Sequence, residues 1–256
     1  MRYRLILSYD GSSFCGWQIQ DKAASIQGHL QQALTTLLHE GITVTGAGRT
    51  DAKVHATAYV AHFDTDEEGL ETGSFGYKLN AILPHGIVVH AIEPAAPDFH
   101  ARYDARQREY KYFIHRKKDP FLQGRSCLYT MPLDVEKMNE AARALLGTHD
   151  FRCFEKTGSD NKTSICTVTH AAWETYVPDH VRLMGYPGGE GDYLVFTIRA
   201  DRFLRNMVRA VVGSLLDVGR GRRETAWIGS LVASGTRSDA GASVPGHALF
   251  LTGVEY

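Results

Sequence analysis

The 256-residue sequence is poor in the features that mark metal-binding, disulfide-linked or membrane proteins. Only four cysteines occur, Cys15, Cys127, Cys153 and Cys166, with no CxxC pair and no regular spacing. That predicts four free thiols in place of a disulfide framework or a zinc cluster. Twelve histidines are present but no HExxH. His85 and His90 stand five apart and His55 and His62 seven apart, spacings that put neither pair on one side of a helix or strand, so no metal site is expected. No GxxxxGK[ST] phosphate loop appears. Long apolar runs are missing too: Leu5-Ile6-Leu7 near the N-terminus is too short for a signal peptide or a membrane span, so the chain is expected to stay in the cytoplasm, with no membrane contact.

Net charge is also nearly absent, at −1, which at first argues against a polyanionic partner. The distribution reverses that reading. Between Arg102 and Lys118 seven basic residues (Arg102, Arg106, Arg108, Lys111, Arg116, Lys117, Lys118) face Asp104 and Glu109. Between Arg199 and Arg223 seven arginines face Asp201 and Asp217. Acidic residues collect elsewhere, as in Asp64-Thr65-Asp66-Glu67-Glu68. Two basic stripes on a neutral molecule can hold a polyanion locally, although each alone equally fits an ordinary solvated face.

Hydrophobic residues make up 43% of the chain, enough for a sizeable core. Their periodicity predicts a strand at about 3–9, a helix from the N-cap Ser25 with Ile26, Leu30, Ala33, Leu34 and Leu37 on one stripe, strands at 42–47 and 57–64, a short helix near 74–82 and a strand at 87–93. The order is β-α-β-β-α-β. It recurs with a strand at Glu109–His115, a helix at about 134–146, strands at 164–176 and 193–200, a strongly apolar helix running from Phe203 to a stop at Gly219, an inserted helix near 223–233 and a strand at Leu249–Glu255. Arg202, Arg205 and Arg209, spaced by three and four, would form a basic ridge on the apolar helix. Each half fits a ferredoxin-like split βαβ unit. The expected fold class is therefore α+β: two βαββαβ halves, 1–100 and 101–256, with a shared, mostly antiparallel sheet, helices on one side and a central cleft. Pro94, Pro97 and the charges of 94–108 mark the junction.

Chemistry concentrates in Thr45-Gly46-Ala47-Gly48-Arg49-Thr50-Asp51-Ala52-Lys53-Val54-His55-Ala56, which follows an apolar strand. Its glycines permit tight turns, and a guanidinium two residues from a carboxylate can donate to it and favours the ionised form. An ionised, positioned Asp51 can serve as nucleophile, general base or electrostatic stabiliser. On residue chemistry alone it equally fits an Asx turn or a cap. Trp17 reads as a core or loop anchor.

The segment Gly48-Arg49-Thr50-Asp51-Ala52-x-Val54-His55-Ala56 resembles the active-site loop of the TruA-type tRNA pseudouridine synthases. Further blocks resemble that family in order: Tyr9-Asp10-Gly11 with Gly16-Trp17-Gln18-Ile19-Gln20, then Asn80 to Pro84, Phe99-His100-Ala101-Arg102, Tyr110-Lys111-Tyr112, and Phe203 with Asn206-Met207-Val208-Arg209 and Val212-Gly213-Ser214-Leu215. The resemblance implies isomerisation of uridine to pseudouridine at positions 38, 39 and 40 of the tRNA anticodon arm, a homodimer, and no metal or organic cofactor. It implies that Asp51 is the catalytic carboxylate, that Arg49 pairs with it, that Tyr110 stacks on or borders the target base, and that Arg209 faces the reaction site. Lys53, Arg102, Arg202 and Arg205 are the expected RNA-contacting cations. Two positions depart from the family pattern: Lys53 stands where Gly is usual, which would add strain if φ is positive, and Ala248 precedes Leu249 where Gly is usual. A non-catalytic RNA-binding protein and a carboxylate-dependent glycosidase or nucleosidase are the competing readings. The second lacks a paired acid within 48–56.

Overall fold

A computed structural model describes every residue except Lys22 and Asp160. The chain divides into two compact units, Met1–Gln107 with Phe250–Tyr256, and Arg108–Leu249. Both are α+β with mixed, mostly antiparallel strand pairing.

The first unit is built on β1 (Arg2–Tyr9), whose alternate residues Tyr3, Leu5, Leu7 and Tyr9 are buried, the pattern of a strand with one face on the core. β3 (His55–Asp64) pairs antiparallel with it in the register Tyr3↔Phe63, Leu5↔Ala61 and Leu7↔Tyr59, so these six side chains share one face. β4 (Ile87–Pro94) lies antiparallel on the other edge of β1. The far edge of β3 is divided. β2 (Val44–Gly46) takes its C-terminal end, and β10 (Leu249–Glu255) runs parallel to its start through Phe250↔His55 and Leu251↔Ala56. The order β4-β1-β3-β2 interleaves two β-α-β segments. α1 (Ile26–Leu38) starts as expected at Ser25, whose hydroxyl accepts from the Gly28 N–H, and buries Ile26, Leu30, Ala33 and Leu34. Burial of each of the three larger side chains, Ile26, Leu30 and Leu34, contributes roughly 1.5–3 kcal/mol. α2 (Thr72–Ile82) is capped by Glu71, whose carboxylate accepts from Gly73 and Ser74.

The second unit contains β5 (Gln107–His115), β6 (Cys127–Leu128), α3 (Val135–Ala142), β7 (Gly147–Asp150), β8 (Ile165–Thr175), α4 (Asp179–Met184), β9 (Tyr193–Ala200), α5 (Met207–Gly219) and α6 (Trp227–Ser234). Its strands run β5-β9-β8-β7, all antiparallel, with β6 parallel to the end of β5. α5 is buried nearly all round, from Met207 to Gly219, and forms the centre of this unit.

Three sequence expectations change here. The apolar helix starts at Met207 and not at Phe203, because Asn206 adopts a left-handed φ of 67° that cannot continue a right-handed helix. Arg202 and Arg205 therefore precede α5, and the expected ridge of Arg202, Arg205 and Arg209 on one helix does not exist. Gly219 does not stop the helix by turning it. It is the last helical residue, a Cβ there would fall on the Met138 side chain of α3, and the left-handed residue is Gly221, at φ 70°. The short elements β6, β7 and α4 were not expected.

All four cysteines are free thiols. Among the described residues no helix is long and apolar enough to cross a membrane.

Candidate active site

Between β2 and β3 the chain forms the loop of residues 47–54, and two further segments of the first unit hold it from beneath. Ala47 donates its N–H to the Val60 carbonyl at 2.8 Å. The Gly48 N–H reaches the Tyr59 hydroxyl oxygen at 3.4 Å, and that hydroxyl donates to the Gly48 carbonyl. Thr50 is buried, its hydroxyl 2.9 Å from that of Tyr9 and its carbonyl accepting from the Trp17 N–H at 3.1 Å. Val54 donates to the Asp51 carbonyl at 3.2 Å, closing a turn around Asp51, and Lys53 donates to the Phe14 carbonyl at 3.3 Å. Trp17 and Tyr59 stack with centroids 4.2 Å apart, and Tyr9 meets Tyr59 edge-on at 5.5 Å. These three rings form a buried aromatic floor under the loop, so Trp17 is the anchor expected from the sequence.

Two glycines let this packing occur. Gly16 has φ 102°, and a Cβ on it would fall on the Thr50 carbonyl oxygen and lie 3.0 Å from the Asp51 carbonyl carbon. A Cβ on Gly11 would fall on the Val54 carbonyl. The Tyr9-Asp10-Gly11 and Gly16-Trp17 blocks thus position the 50–54 backbone. His55, which opens β3, is buried with its ring stacked on Phe250 at 4.5 Å. Its Nδ1 lies 3.1 Å from the Gly11 nitrogen and 3.0 Å from an Asp10 carboxylate oxygen. A bare Nδ1 accepts from Gly11, whereas a protonated one donates to Asp10, so only one of these bonds exists at a time.

On this platform Asp51 is half-buried, while Arg49 and Lys53 are exposed. Arg49 stands exposed between the half-buried Gly48 and the buried Thr50, on the same loop as Asp51. Lys53 has φ 65°, which resolves the sequence question in favour of local strain. Arg102 lies on a separate turn, exposed, with its guanidinium carbon 5.7 Å from the Tyr103 ring centre. That turn meets the loop through Ala101, which packs with Ala47 and Val60. Ala101 donates its N–H to His62 Nδ1 at 3.1 Å. Burial first, then the charges of Arg2 and His100, push the His62 imidazole down to about 4, which keeps that nitrogen an acceptor.

In the second unit Tyr110 is half-buried on β5 opposite Ile198, and Phe203 meets its ring edge-on at 5.0 Å. Arg209, in the first turn of α5, donates through Nε to the Val244 carbonyl at 2.7 Å, and Val244 donates back to the Arg209 carbonyl at 3.2 Å. The segment around 241–244 is clamped onto α5. Gly241 donates to the Ser214 hydroxyl, Asn206 donates to the Ser243 hydroxyl, and a Cβ on Gly213 would fall on the Ala242 carbonyl. Arg202 is half-buried and Arg205 exposed, both just before α5. Arg49, Asp51 and Lys53 thus share one loop, Tyr110 shares a contact with Phe203, and Arg202, Arg205 and Arg209 belong to one stretch of chain. The supporting Tyr9, Tyr59, His55 and Gly11 escaped the sequence reading as site-builders. The one signal for them is the pair of glycine blocks near the N-terminus. Among the described residues no three His, Cys, Asp or Glu side chains come together as a metal-ligand set.

A family model described as tRNA pseudouridine synthase matches residues 5–104 and 141–256. A tRNA pseudouridine synthase A of Parabacteroides distasonis is 46% identical over 257 residues, covering 100% of this chain and 96% of that protein. One of Bacteroides thetaiotaomicron is 47% identical over 255 residues, covering 100% and 90%. A solved structure titled "Crystal Structure of a Cbf5-Nop10-Gar1 Complex" aligns over 83% of this chain and 54% of its own at 13% identity, with a TM-score of 0.32. The match along almost the entire chain, together with the buried scaffold under the Gly48–Ala56 motif, makes this chain a member of the tRNA pseudouridine synthase family, of the A type.

Proposed function

We propose that this chain isomerises uridine to pseudouridine at positions 38, 39 and 40 of the tRNA anticodon stem-loop, with the Asp51 carboxylate as its essential chemical group. The observation that carries this reading is the construction of the 47–54 loop. Two glycines and three buried aromatic rings fix its backbone and so set the position of the half-buried Asp51. A positioned group on a rigid platform is what a reaction of this kind requires.

The reaction breaks the bond from ribose C1′ to uracil N1, turns the base and joins C1′ to C5. The proton lost from C5 is balanced by one gained at N1. No atom or electron is gained or lost overall, and the family resemblance implies no metal or organic cofactor. An ionised Asp51 can attack C1′, add to C6 of the ring or remove the C2′ proton. Each route starts from the same carboxylate.

The target base has to leave its stack. In this reading Tyr110 offers it a ring face, worth on the order of 1–3 kcal/mol per stacked base, and the edge contact from Phe203 restrains that ring. Arg49, in solvent beside Asp51, fills the vacated position or neutralises a phosphate. Arg209, tied through Nε to the Val244 carbonyl, is the restrained cation near the base. Lys53, Arg102, Arg202 and Arg205 neutralise phosphates. The finer architecture belongs to the same proposal: two ferredoxin-like halves, divided near residue 100, with a common sheet and a central cleft. The order β4-β1-β3-β2 of the first unit supports the ferredoxin-like part. A homodimer in which one tRNA touches both subunits completes it, and monomeric sedimentation at micromolar concentration would count against that.

The test maps pseudouridine in unmodified tRNA transcripts after incubation with the wild-type protein and with Asp51→Ala, with no metal or cofactor added. New pseudouridine in the anticodon arm with wild type alone is expected. Product from both proteins would move the catalytic role away from Asp51. No product from a folded wild type that binds the transcripts would leave an RNA-binding protein.

A further inference from the structure

Tyr103 is a large aromatic residue left 75% exposed, while hydrogen bonds hold the backbone of the turn that carries it. The turn that carries it is fixed on both sides. Behind it, Phe99 meets the His62 and Tyr256 rings at 6.0 and 5.2 Å, and its carbonyl accepts from Arg2 at 2.8 Å. Ala101 is buried, its N–H given to His62 and its carbonyl accepting from the Tyr256 hydroxyl at 2.7 Å. Within the turn, Nδ1 of His100 accepts from the N–H groups of both Arg102 and Tyr103, at 3.1 and 3.2 Å. The His100 N–H in turn donates to Asp104 at 2.7 Å.

The His100 imidazole also lies against the Tyr103 ring, centroids 4.2 Å apart at 31°. One part of the ring is therefore braced, and the large exposure leaves the remainder to solvent. Its neighbours are polar. Arg102 places a guanidinium 5.7 Å from the ring centre, and Arg106 is exposed three residues on. A braced ring bordered by cations matches a nucleobase, whose π-face stacks on the ring while the arginines meet the phosphates. Bracing lowers the entropy lost on binding. The position is also suitable: Ala101 packs against Ala47, the first residue of the loop that carries Asp51.

We propose that Tyr103 is a nucleobase-stacking platform for the tRNA substrate, separate from the Asp51 loop and from Tyr110, with His100 as its positioning residue. The proposal rests on the tRNA-modifying reading of the chain. The ring stacks on an unpaired base that is not the one being isomerised, and so contributes to holding the RNA in place.

The experiment measures the Kd for an unmodified tRNA transcript across a series of salt concentrations, for wild type, Tyr103→Phe and Tyr103→Ala. Thermal unfolding of each variant confirms an intact fold. Removing the ring is expected to weaken binding at least about fivefold, as loss of one stacked base does. Phe should bind within about twofold of wild type, and the salt dependence of Tyr103→Ala should stay parallel to wild type, since no phosphate contact is lost. Ala binding as tightly as wild type would overturn the proposal. Equal losses for Phe and Ala would place the effect on the hydroxyl and overturn it too, as would a shallower salt slope. Pseudouridine formation by wild type on the same transcript is read in parallel. Tight binding without product would sink the enzymatic reading and leave the stacking site standing.

Discussion

Substituting Gly16 by alanine tests whether the N-terminal segment positions the loop of Asp51, the proposed catalytic residue. At φ 102° this residue lies where side chains are strongly disfavoured, which costs about 1–3 kcal/mol. The added methyl would also fall on the Thr50 carbonyl oxygen, and forced overpacking adds about 1–3 kcal/mol. The full penalty is thus about 2–6 kcal/mol against a total stability of about 5–15 kcal/mol. The protein can keep the loop in place and lose stability, or let Thr50 and Asp51 shift and regain part of it. A shift of about 1 Å at a reacting group lowers the rate on the order of 100-fold. The two losses should therefore trade against each other. Urea denaturation gives one and single-turnover pseudouridine formation with excess enzyme gives the other. Gly48→Ala is the stability control, because a Cβ there meets nothing within 4 Å and should change stability by less than about 0.5 kcal/mol. Wild-type stability together with wild-type rate in Gly16→Ala would refute the idea that this segment braces Asp51.

Lys53→Gly should relieve the left-handed strain at φ 65°. The relief of about 1–2 kcal/mol, less the greater flexibility of glycine in the unfolded chain, leaves about 0.5–1 kcal/mol of added stability in urea denaturation. Stability unchanged or lowered would contradict this. A second expectation is acid sensitivity of the first unit from His62. Its folded value, about 4, lies below the ordinary 6.5, so between these values the unfolded chain binds the proton more tightly. The contribution is complete above pH 6.5 and falls away toward pH 4 at about 1.4 kcal/mol per pH unit, about 3 kcal/mol in all. His62→Gln, which keeps an acceptor for the Ala101 N–H, should flatten that part of the stability–pH curve, and an identical slope in both proteins would exclude His62 as its source.

Much of the fold could be read from residue order because its main elements bury one face. The alternation in Arg2–Tyr9 and the stripe of Ile26, Leu30 and Leu34 after Ser25 leave few other structures open. Elements without room for a period escaped: β6 has two residues, β7 four and α4 six. The start of α5 misled for a different reason. Phe203 and Leu204 continue the helical spacing of the apolar residues, and only the backbone angle of Asn206 breaks it. At the candidate site the sequence displays Arg49, Asp51 and Lys53 side by side, and the structure keeps them on one loop. The residues that hold the loop lie some forty positions upstream of it or at its far end. No spacing rule connects Gly16 to Thr50, and the exposure of Tyr103 depends on which of its neighbours are buried.

The parallel pairing of β10 with the start of β3 has a consequence for the order of assembly. Phe250, stacked on His55, is translated only after the entire second unit from Arg108 to Leu249. On a ribosome adding about 5–20 residues per second, the earlier unit in sequence waits several seconds or longer for its last strand, while the later one already has all its residues. The nascent chain therefore finishes its middle before its beginning. The loop bearing Asp51 gains its support at His55 only after the second unit has been made, so a chain cut short before Phe250 would carry Asp51 on an incomplete frame.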